Sequence, residues 1–494
     1  MQYSSIMPLF LFDTLTRRKR EFKPLHDKEV RLYSCGLTVY NFGHIGNFSH
    51  YIFVDFLKRY LKFEGYKVMH VRNITDVGHL VDDADEGEDK MLRASRLEKK
   101  DPWEIAKFYT EAFSHDCETL GLEKPDQEPK ATDHIQGMID MIATLIEKGI
   151  AYKAKDGVYF DISKFPQYGE LSGNKVADLE AGARVEVNTN KKNPVDFALW
   201  KTDQPEHIMQ WDSPWGRGYP GWHIECSAMS KEYLGEQLDI HTGGEDNIFP
   251  HHECEIAQSE GVSGKKFVNF WMHKRYLLVE GEKMSKSKGN FYTLSDLHLK
   301  WLEQGFSGDM KEAAQIFKFL VLSAHYRSQL DFGFKALTDA YKAWEKIDVA
   351  IHRAGDAVPN DTIKGIREEF EKYELHFYQA LGDDLNTPNA LAAMFDYVRE
   401  LNAALDGDGI SLVEQEHAET FFNEFQGLFG VDINLYTLTP DLMDMVMQRE
   451  EARKVKDFAL SDKLRQELLE KGVEVKDKKT GVEWRRTLIL SSKF

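Results

Sequence analysis

The sequence predicts an α/β protein: an open parallel sheet split by an insertion, then a helical bundle and a small mixed α/β end. Three observations carry this: a β-α-β pattern near the front, strand character resuming after an interruption at 130–209, and helical periodicity from 313 to 429. At 494 residues the chain exceeds the ~250–300 at which one hydrophobic core stops growing, so several domains are expected.

Taken in order, the apolar run at 7–12 has no basic stretch ahead of it and precedes Arg17, Arg18, Lys19 and Arg20, so it reads as a strand entering the core, not a secretion signal. Residues 29–35 alternate, with Val30 and Leu32 on one face. Residues 48–63 carry Ile52, Phe53, Phe56, Leu57, Tyr60 and Leu61 at helical spacing and stop before Gly65. Residues 67–74 return as a strand. This is one β-α-β unit of Rossmann type, crossing right-handed by default. The loop between its first strand and helix lies at the carboxyl end of the sheet, where open parallel sheets bind ligands.

From 130 the pattern changes to a helix at 132–148 and short strands rich in Gly, Asn and charge. Sheet pattern resumes at 237–242, turns through Gly243 and Gly244, and opens a helix with Pro250 in its first turn. A strand near 267–272 precedes a lysine-rich loop. The helical block is punctuated by Gly355, Pro359 and the turn Asp383-Asp384-Leu385-Asn386-Thr387-Pro388, and the chain ends in a helix at 449–471 with strands at 473–475 and 483–490. The expected domains are 1–129 and 210–265 for two halves of the sheet domain, 130–209 for a connective insertion, 266–339 for a region with the lysine loop, 340–432 for a helical bundle and 433–494 for the C-terminal domain.

Composition narrows the class. With 42% hydrophobic and 29% charged residues the chain reads as soluble and globular, and no apolar run approaches the ~20 residues that span a bilayer. Four cysteines without a C-x-x-C pair fit a reduced, cytoplasmic protein. The net charge of −19 disfavours a nucleic-acid partner for the body of the chain. From Val446 onward, however, 13 Lys and Arg face 9 Asp and Glu, a local +4. That end, with Phe458 and Trp484, suits backbone contact and base stacking, or else is a solvated helix and hairpin.

Two stretches suggest nucleotide chemistry. Gly43-His44-Ile45-Gly46-Asn47 suits a phosphate site at a helix start. Lys283-Met284-Ser285-Lys286-Ser287, followed by Lys288, Gly289 and Asn290, suits a clamp that neutralises triphosphate charge during nucleotidyl transfer. A third constellation is scattered. His251 and Glu255, four apart, share a helix face; with Cys226 and Cys35 they make a tetrahedral donor set suited to Zn²⁺. Lone thiols are otherwise small buried hydrophobes. Cys254 points about 100° off the His251 face and reads as packing, and Cys117, in a helix with Phe108 and Phe113, as core. The acidic run at 76–89 reads as a solvated loop.

In this order the first two stretches resemble the signatures of class I aminoacyl-tRNA synthetases. The blocks Ser34-Cys35-Gly36-Leu37-Thr38-Val39-Tyr40, 221–229, Gly243-Gly244-Glu245-Asp246 and Phe249-Pro250-His251-His252-Glu253, with the lysine loop, resemble those of cysteinyl-tRNA synthetases. The likeness runs on through 384–391 and 461–484. It implies one Zn²⁺ per chain on Cys35, Cys226, His251 and Glu255, and ATP with Mg²⁺, L-cysteine and tRNA(Cys) as ligands of a cytoplasmic monomer. It places Gly43, His44, Gly46, Asn47, Gly243, Gly244, Asp246 and Lys286 at ATP, and Thr75 and Trp222 at the amino acid. His44, Asn47, Lys283 and Lys286 would be the catalytic set, with Lys286 the key lysine. Asn47 departs from the class pattern, which has a second histidine there; its amide still donates hydrogen bonds but cannot serve as an acid.

The implied reaction has two steps, cysteinyl-adenylate formation and transfer to a terminal ribose hydroxyl. A metal answers the selection problem. A packing pocket separates isosteres such as cysteine and serine by only ~10–200-fold, whereas an accuracy on the order of 10⁴ needs ~5.5 kcal/mol. Three rival readings share parts of this pattern: a ligase passing activated cysteine to an amino-sugar, a non-catalytic tRNA-binding paralogue, and a synthetase for another amino acid.

Overall fold

The computed structural model describes residues 8–78, 90–175, 188–202, 204, 207–285, 288–362, 367–478 and 481–488. The chain opens with a hairpin, β1 (Phe10–Asp13) and β2 (Arg18–Glu21), whose Leu11 is buried. Next come β3 (Glu29–Ser34), α1 (Ile45–Phe63) and β4 (Lys67–Arg72), then α2 (Lys90–Glu98) and α3 (Pro102–Thr119). The insertion consists of α4 (Ile135–Glu147) and an antiparallel sheet of β5 (Ala151–Lys153), β6 (Gly157–Phe160), β7 (Phe197–Lys201) and β8 (Tyr219–Pro220). After α5 (Trp222–Leu234) the first sheet resumes with β9 (Leu238–Gly244), α6 (Glu253–Ser263) and β10 (Val268–Lys274).

That sheet is parallel throughout, in the order β10-β9-β3-β4. The chain leaves β3 toward β4 on one side and returns with β9 on the other. The crevice at the carboxyl ends of β3 and β9 is therefore a topological switch point. Cys35 and Gly243 sit at those ends, and the Cys35 amide donates to the Thr242 carbonyl at 3.2 Å.

Beyond the sheet lie β11 (Leu277–Val279), β12 (Glu282–Lys283), α7 (Leu294–Glu303), α8 (Met310–Leu322) and β13 (Leu330–Phe332). The helical block is α9 (Phe334–Gly355), α10 (Arg367–Gly382), α11 (Thr387–Asp406) and α12 (Leu412–Phe429). The end is α13 (Pro440–Lys454), α14 (Phe458–Glu470) and the hairpin β14 (Val473–Lys478) with β15 (Gly481–Arg486). No helix among the described residues is long and apolar enough to cross a membrane.

α1 is buried on nearly every face, including Ile52, Phe53, Phe56 and Leu57, because the sheet covers one side and α8 and α12 the other. Its one buried acid, Asp55, is neutralised within that packing. Lys318 Nζ on α8 donates to Asp55 Oδ2 at 2.8 Å, Arg59 Nε donates at 2.9 Å, and the Glu123 amide donates at 2.8 Å. Burial opposes the charge on Asp55, but Lys318 and Arg59 outweigh it and hold the carboxyl below its usual range.

The helical block is tied on through Asp384, which adopts a left-handed φ of 65°. Its carboxylate accepts from the Phe12 amide at 2.8 Å, the Tyr326 hydroxyl at 2.6 Å and Arg327 Nε at 2.7 Å.

Four expectations need correction. The helix expected at 449–471 is two helices: Lys456 takes a left-handed φ of 62° and Asp457 caps α14 by accepting from the Leu460 amide. Pro250 lies ahead of the regular helix, in one wide turn (Ile248–His252) that contains the cis Phe249-Pro250 bond, and α6 begins at Glu253. Phe108 is 43% exposed, against Phe42, so only Phe113 and Cys117 of that trio are core. Asp76 is buried, accepting from the Thr132 amide and hydroxyl, so the acidic run is not solvated at its start; residues 79–89 lie outside the described residues.

Removing one partner of a buried pair strands the other's charge at a cost of several kcal/mol. Lys318→Met should therefore lower stability by about 3 kcal/mol, read as a shift in urea midpoint. An unchanged midpoint would show that Arg59 alone satisfies Asp55.

Candidate metal centre and nucleotide site

β3 delivers Cys35 to the switch point. Gly221 opens α5, which carries Cys226 in its first turns, and the turn into α6 presents His251 and Glu255 on one side. These four residues are buried, and their ligand atoms all lie within 4.8 Å of one another. His251 Nε2 is 3.0 Å from Glu255 Oε1, and Cys35 Sγ is 3.9 Å from the same oxygen. A tetrahedron with arms of ~2.0–2.3 Å has edges of about 3.3–3.8 Å. The set therefore needs only small adjustments to close on one ion, the His251–Glu255 edge opening slightly and the longer ones drawing in.

An overlapping set, Cys35, His241, His252 and Glu255, meets the same distance test. Its histidines are better placed as supports. His241 Nε2 binds Glu255 Oε2 at 3.0 Å, and His252 Nε2 reaches Cys35 Sγ at 3.1 Å. The other nitrogen of His252 is taken by His273 Nε2 at 2.8 Å, and His273 Nδ1 meets Thr14 Oγ1 at 2.8 Å. His223 Nδ1 meets His251 Nδ1 at 2.8 Å, which fixes the His251 ring and leaves Nε2 toward Glu255. Partners of this kind orient metal ligands. Sequence reasoning missed all four supporting histidines. The doublet His251-His252 was a usable signal, whereas His241 and His273 sit on neighbouring strands with no local pattern to join them.

The electrostatics follow the burial. Desolvation pushes the Cys35 thiol up, while a hydrogen bond from Cys35 brings Cys226 down to about 7. Burial opposes charge on both Glu255 and His251. His241 and His251 overcome it for Glu255, which falls to about 2, and Cys226 and Glu255 overcome it for His251, which rises to about 10.

Of the residues expected at the amino acid, Trp222 lies with its ring 4.6 Å from that of His251, beside the donor set. Thr75 is buried and donates to Glu225 Oε2 at 3.1 Å. Cys254 stays outside both donor sets, its sulfur 3.4 Å from the Tyr168 hydroxyl, and Cys117 is buried near Arg72.

The 43–47 loop forms the start of α1. His44 Nδ1 accepts from the Asn47 amide at 3.2 Å and Asn47 Oδ1 accepts from the His44 amide at 3.1 Å, a reciprocal cap. Burial, aided by Lys283, lowers His44 from 6.5 to about 4, so the ring is neutral at pH 7. With Nδ1 accepting, the proton of a neutral ring resides on Nε2, which becomes a donor. Asn47 has only its amide NH₂ left to offer a ligand.

Two segments far apart in sequence meet at Gly46: a Cβ there would fall 2.5 Å from Met284 Cε and 2.9 Å from the His44 ring. The Ile45 amide donates to the Tyr292 carbonyl at 2.9 Å. Lys283 Nζ rests 4.4 Å above the Tyr276 ring; Lys286 lies outside the described residues. Gly243 and Gly244 end β9, and a Cβ on them would fall 2.5 Å from His252 and 2.4 Å from Asp246 Oδ1. At Gly243 a side chain would run into the buried His252 ring, and at Gly244 it would have to displace the Asp246 carboxylate.

Known proteins match this arrangement along the whole chain. A model of the tRNA synthetases class I (C) catalytic domain matches residues 21–342, a DALR domain 376–434, and a cysteinyl-tRNA ligase anticodon binding domain 437–485. The cysteine--tRNA ligase of Chlorobaculum tepidum is 42% identical over 96% of this chain and 98% of its own. One from Thermus thermophilus is 43% identical over 97% and 99%. The chain belongs to the cysteinyl-tRNA synthetases. The synthetase is thus a class I ligase that joins cysteine to tRNA, and the anticodon-domain match favours a tRNA acceptor over an amino-sugar. A solved Mycobacterium tuberculosis methionyl-tRNA synthetase with methionyl-adenylate aligns at a TM-score of 0.56 and 13% identity, covering 82% of this chain and 90% of that one. At that identity the likeness is one of fold.

The depressed His44 value has a direction that can be checked. Unfolded imidazole binds its proton near 6.5, so the cap's contribution is complete above 6.5 and is lost as pH falls from there toward 4. NMR of the synthetase should place the His44 midpoint at about 4; a midpoint near 6.5 would contradict the buried, neutral cap.

Proposed function

We propose that the synthetase selects its amino acid through a single Zn²⁺ held by Cys35, Cys226, His251 and Glu255, activates it with ATP and Mg²⁺ at the 43–47 and 243–246 loops, and charges tRNA(Cys). The observation that carries this reading is the convergence of four buried donors, two of them thiols, within 4.8 Å at the carboxyl end of the parallel sheet. Zn²⁺ bound there supplies a soft acceptor for the substrate thiolate, for which a serine hydroxyl, protonated at neutral pH, is a poor replacement.

The chain's own groups do the rest by position. His223 and His241 hold His251 and Glu255 in orientation, and Trp222 closes the side of the amino-acid site. Thr75 and Glu225 fix one wall through their hydrogen bond. The Nε2–H of His44 and the side-chain NH₂ of Asn47 face phosphate at the start of α1, where the helix dipole also favours anions. Gly46 permits the lysine loop to approach this point, and Lys283 with Lys286 neutralises the departing pyrophosphate. Gly243, Gly244 and Asp246 receive the adenosine. No covalent intermediate with the enzyme is required, since the carboxylate of cysteine attacks the α-phosphate and the ribose hydroxyl then attacks the mixed anhydride.

The same reading divides the chain into a catalytic domain in two halves (1–129 and 210–265), the insertion (130–209), a stem-contact region (266–339), a helical bundle (340–432) and an anticodon-recognising end (433–494). It describes a cytoplasmic monomer.

Cys226→Ser should lose stoichiometric Zn²⁺ and reduce cysteine-dependent exchange of labelled pyrophosphate into ATP by at least about 10²-fold, in line with the removal of a positioned contact. Metal analysis and the exchange assay check both parts. Full metal content with normal exchange would remove Cys226 from the site.

A further inference from the structure

Cys35 stands at the inner end of a chain of hydrogen bonds that runs out of the metal cluster to the hairpin of β1 and β2. His252 Nε2 lies 3.1 Å from Cys35 Sγ, His252 Nδ1 lies 2.8 Å from His273 Nε2, and His273 Nδ1 lies 2.8 Å from Thr14 Oγ1. Both histidines are buried and Thr14 is half-buried. We propose that the Thr14 hydroxyl sets the proton positions along this relay and so holds Cys35 as a hydrogen-bonded thiolate, which makes Thr14 a positioning residue for the metal. The inference rests on the reading of Cys35 as a zinc ligand.

Counting hydrogens gives the relay one direction. A thiolate bound to a metal carries no proton and can only accept, so His252 Nε2 has to donate. In a neutral ring the other nitrogen then accepts, which obliges His273 to donate from Nε2. His273 Nδ1 becomes an acceptor in its turn, and only a donor suits it. A hydroxyl can donate or accept; facing Nδ1 it donates, and the chain closes with all four ring nitrogens satisfied. The opposite tautomers would turn a lone pair of His252 toward the sulfur and leave both atoms without a hydrogen between them, an arrangement that is costly in a buried place.

The hairpin is built to hold that hydroxyl still. The Thr14 amide donates to the Trp271 carbonyl on β10 at 2.8 Å, and Asp13 Oδ1 accepts from the Trp271 amide at 3.1 Å. The buried Asp13 carboxylate also accepts from the amides of Leu15 and Thr16, each at 3.3 Å. Thr14 is therefore fixed against the strand that carries His273. The hairpin supplies no donor to the metal cluster and no residue to the nucleotide loops, and the relay gives it a part in the site. Hydrogen bonds around a cysteine sulfur draw charge from it and tune the bound ion, so an ion held here keeps more of its acceptor strength for the substrate sulfur.

The test measures zinc retention by full-length wild type, Thr14→Ala and Thr14→Ser in competition with a chromophoric chelator. Thr14→Ala should hold zinc about 10-fold more weakly, at the low end for loss of a partner beyond the ligands themselves. Thr14→Ser, which keeps the hydroxyl, should stay close to wild type. With Co²⁺ in place of zinc, the sulfur-to-metal charge-transfer band should move to longer wavelength in Thr14→Ala and not in Thr14→Ser, because the thiolate loses its hydrogen-bonded stabilisation. Thermal denaturation of the metal-free proteins controls for folding of the hairpin, and Thr14→Val, which keeps the shape of threonine without its hydroxyl, should repeat the alanine result if alanine loosens the turn. Wild-type retention or an unmoved band in a folded alanine or valine variant, or a serine variant as weak as alanine, overturns the proposal. A wild type that holds no zinc would instead overturn the reading of the metal site on which it rests.

Discussion

The structure depends on a concentration of acidic donors in a buried place. Cys35, Cys226 and Glu255 are buried with their ligand atoms within 4.8 Å of one another, and bringing such groups out of solvent is unfavourable unless positive charge or hydrogen bonds compensate. Glu255 shows the arrangement most clearly, with one oxygen toward His251 and the other toward His241. A thiol raised by burial beside one lowered by its hydrogen bond shows that the pair shares protons unequally, as closely coupled groups do. A dication satisfies this set with one centre, and thiol ligands restrict which cation and which substrate heteroatom it accepts.

The fold supplies that concentration by topology. The strand order reverses between β3 and β9, so the carboxyl ends of two strands from distant parts of the sequence open into one crevice. α5 and the turn into α6 then bring their donors to the same rim. The 43–47 loop belongs to the same β-α-β unit, and its glycine at 46 is the contact point for the lysine loop. The candidate metal cluster and the candidate nucleotide loops are consequently built on one sheet, with α1 anchored behind it by the Asp55–Lys318 pair.

Much of this was legible in the sequence because it is periodic. The alternation at 29–35, the helical stripe at 48–63 and the return at 67–74 gave β3, α1 and β4 within a few residues. The four candidate donors were read in a different way: no compact spacing joins Cys35 to Cys226, and the succession of blocks resembling a known family pointed to the set whose ligand atoms the fold brings within 4.8 Å. What escaped lacks a local signal. Lys456 is not a glycine, so its left-handed turn splits a helix without warning. Phe108 lies at a helical position whose exposure depends on where the 40–43 loop passes. The supporting histidines come from separate strands and helices, and only the closed tertiary structure makes them neighbours.

The central claim is that one zinc ion is held by these four side chains and takes the substrate sulfur as a further ligand. Zinc K-edge X-ray absorption on the full-length protein tests it most directly. The account predicts a shell with two sulfurs at ~2.3 Å and lighter donors at ~2.0–2.2 Å, gaining a third sulfur with cysteine and none with serine. A shell without sulfur, or one that cysteine leaves unchanged, would contradict it.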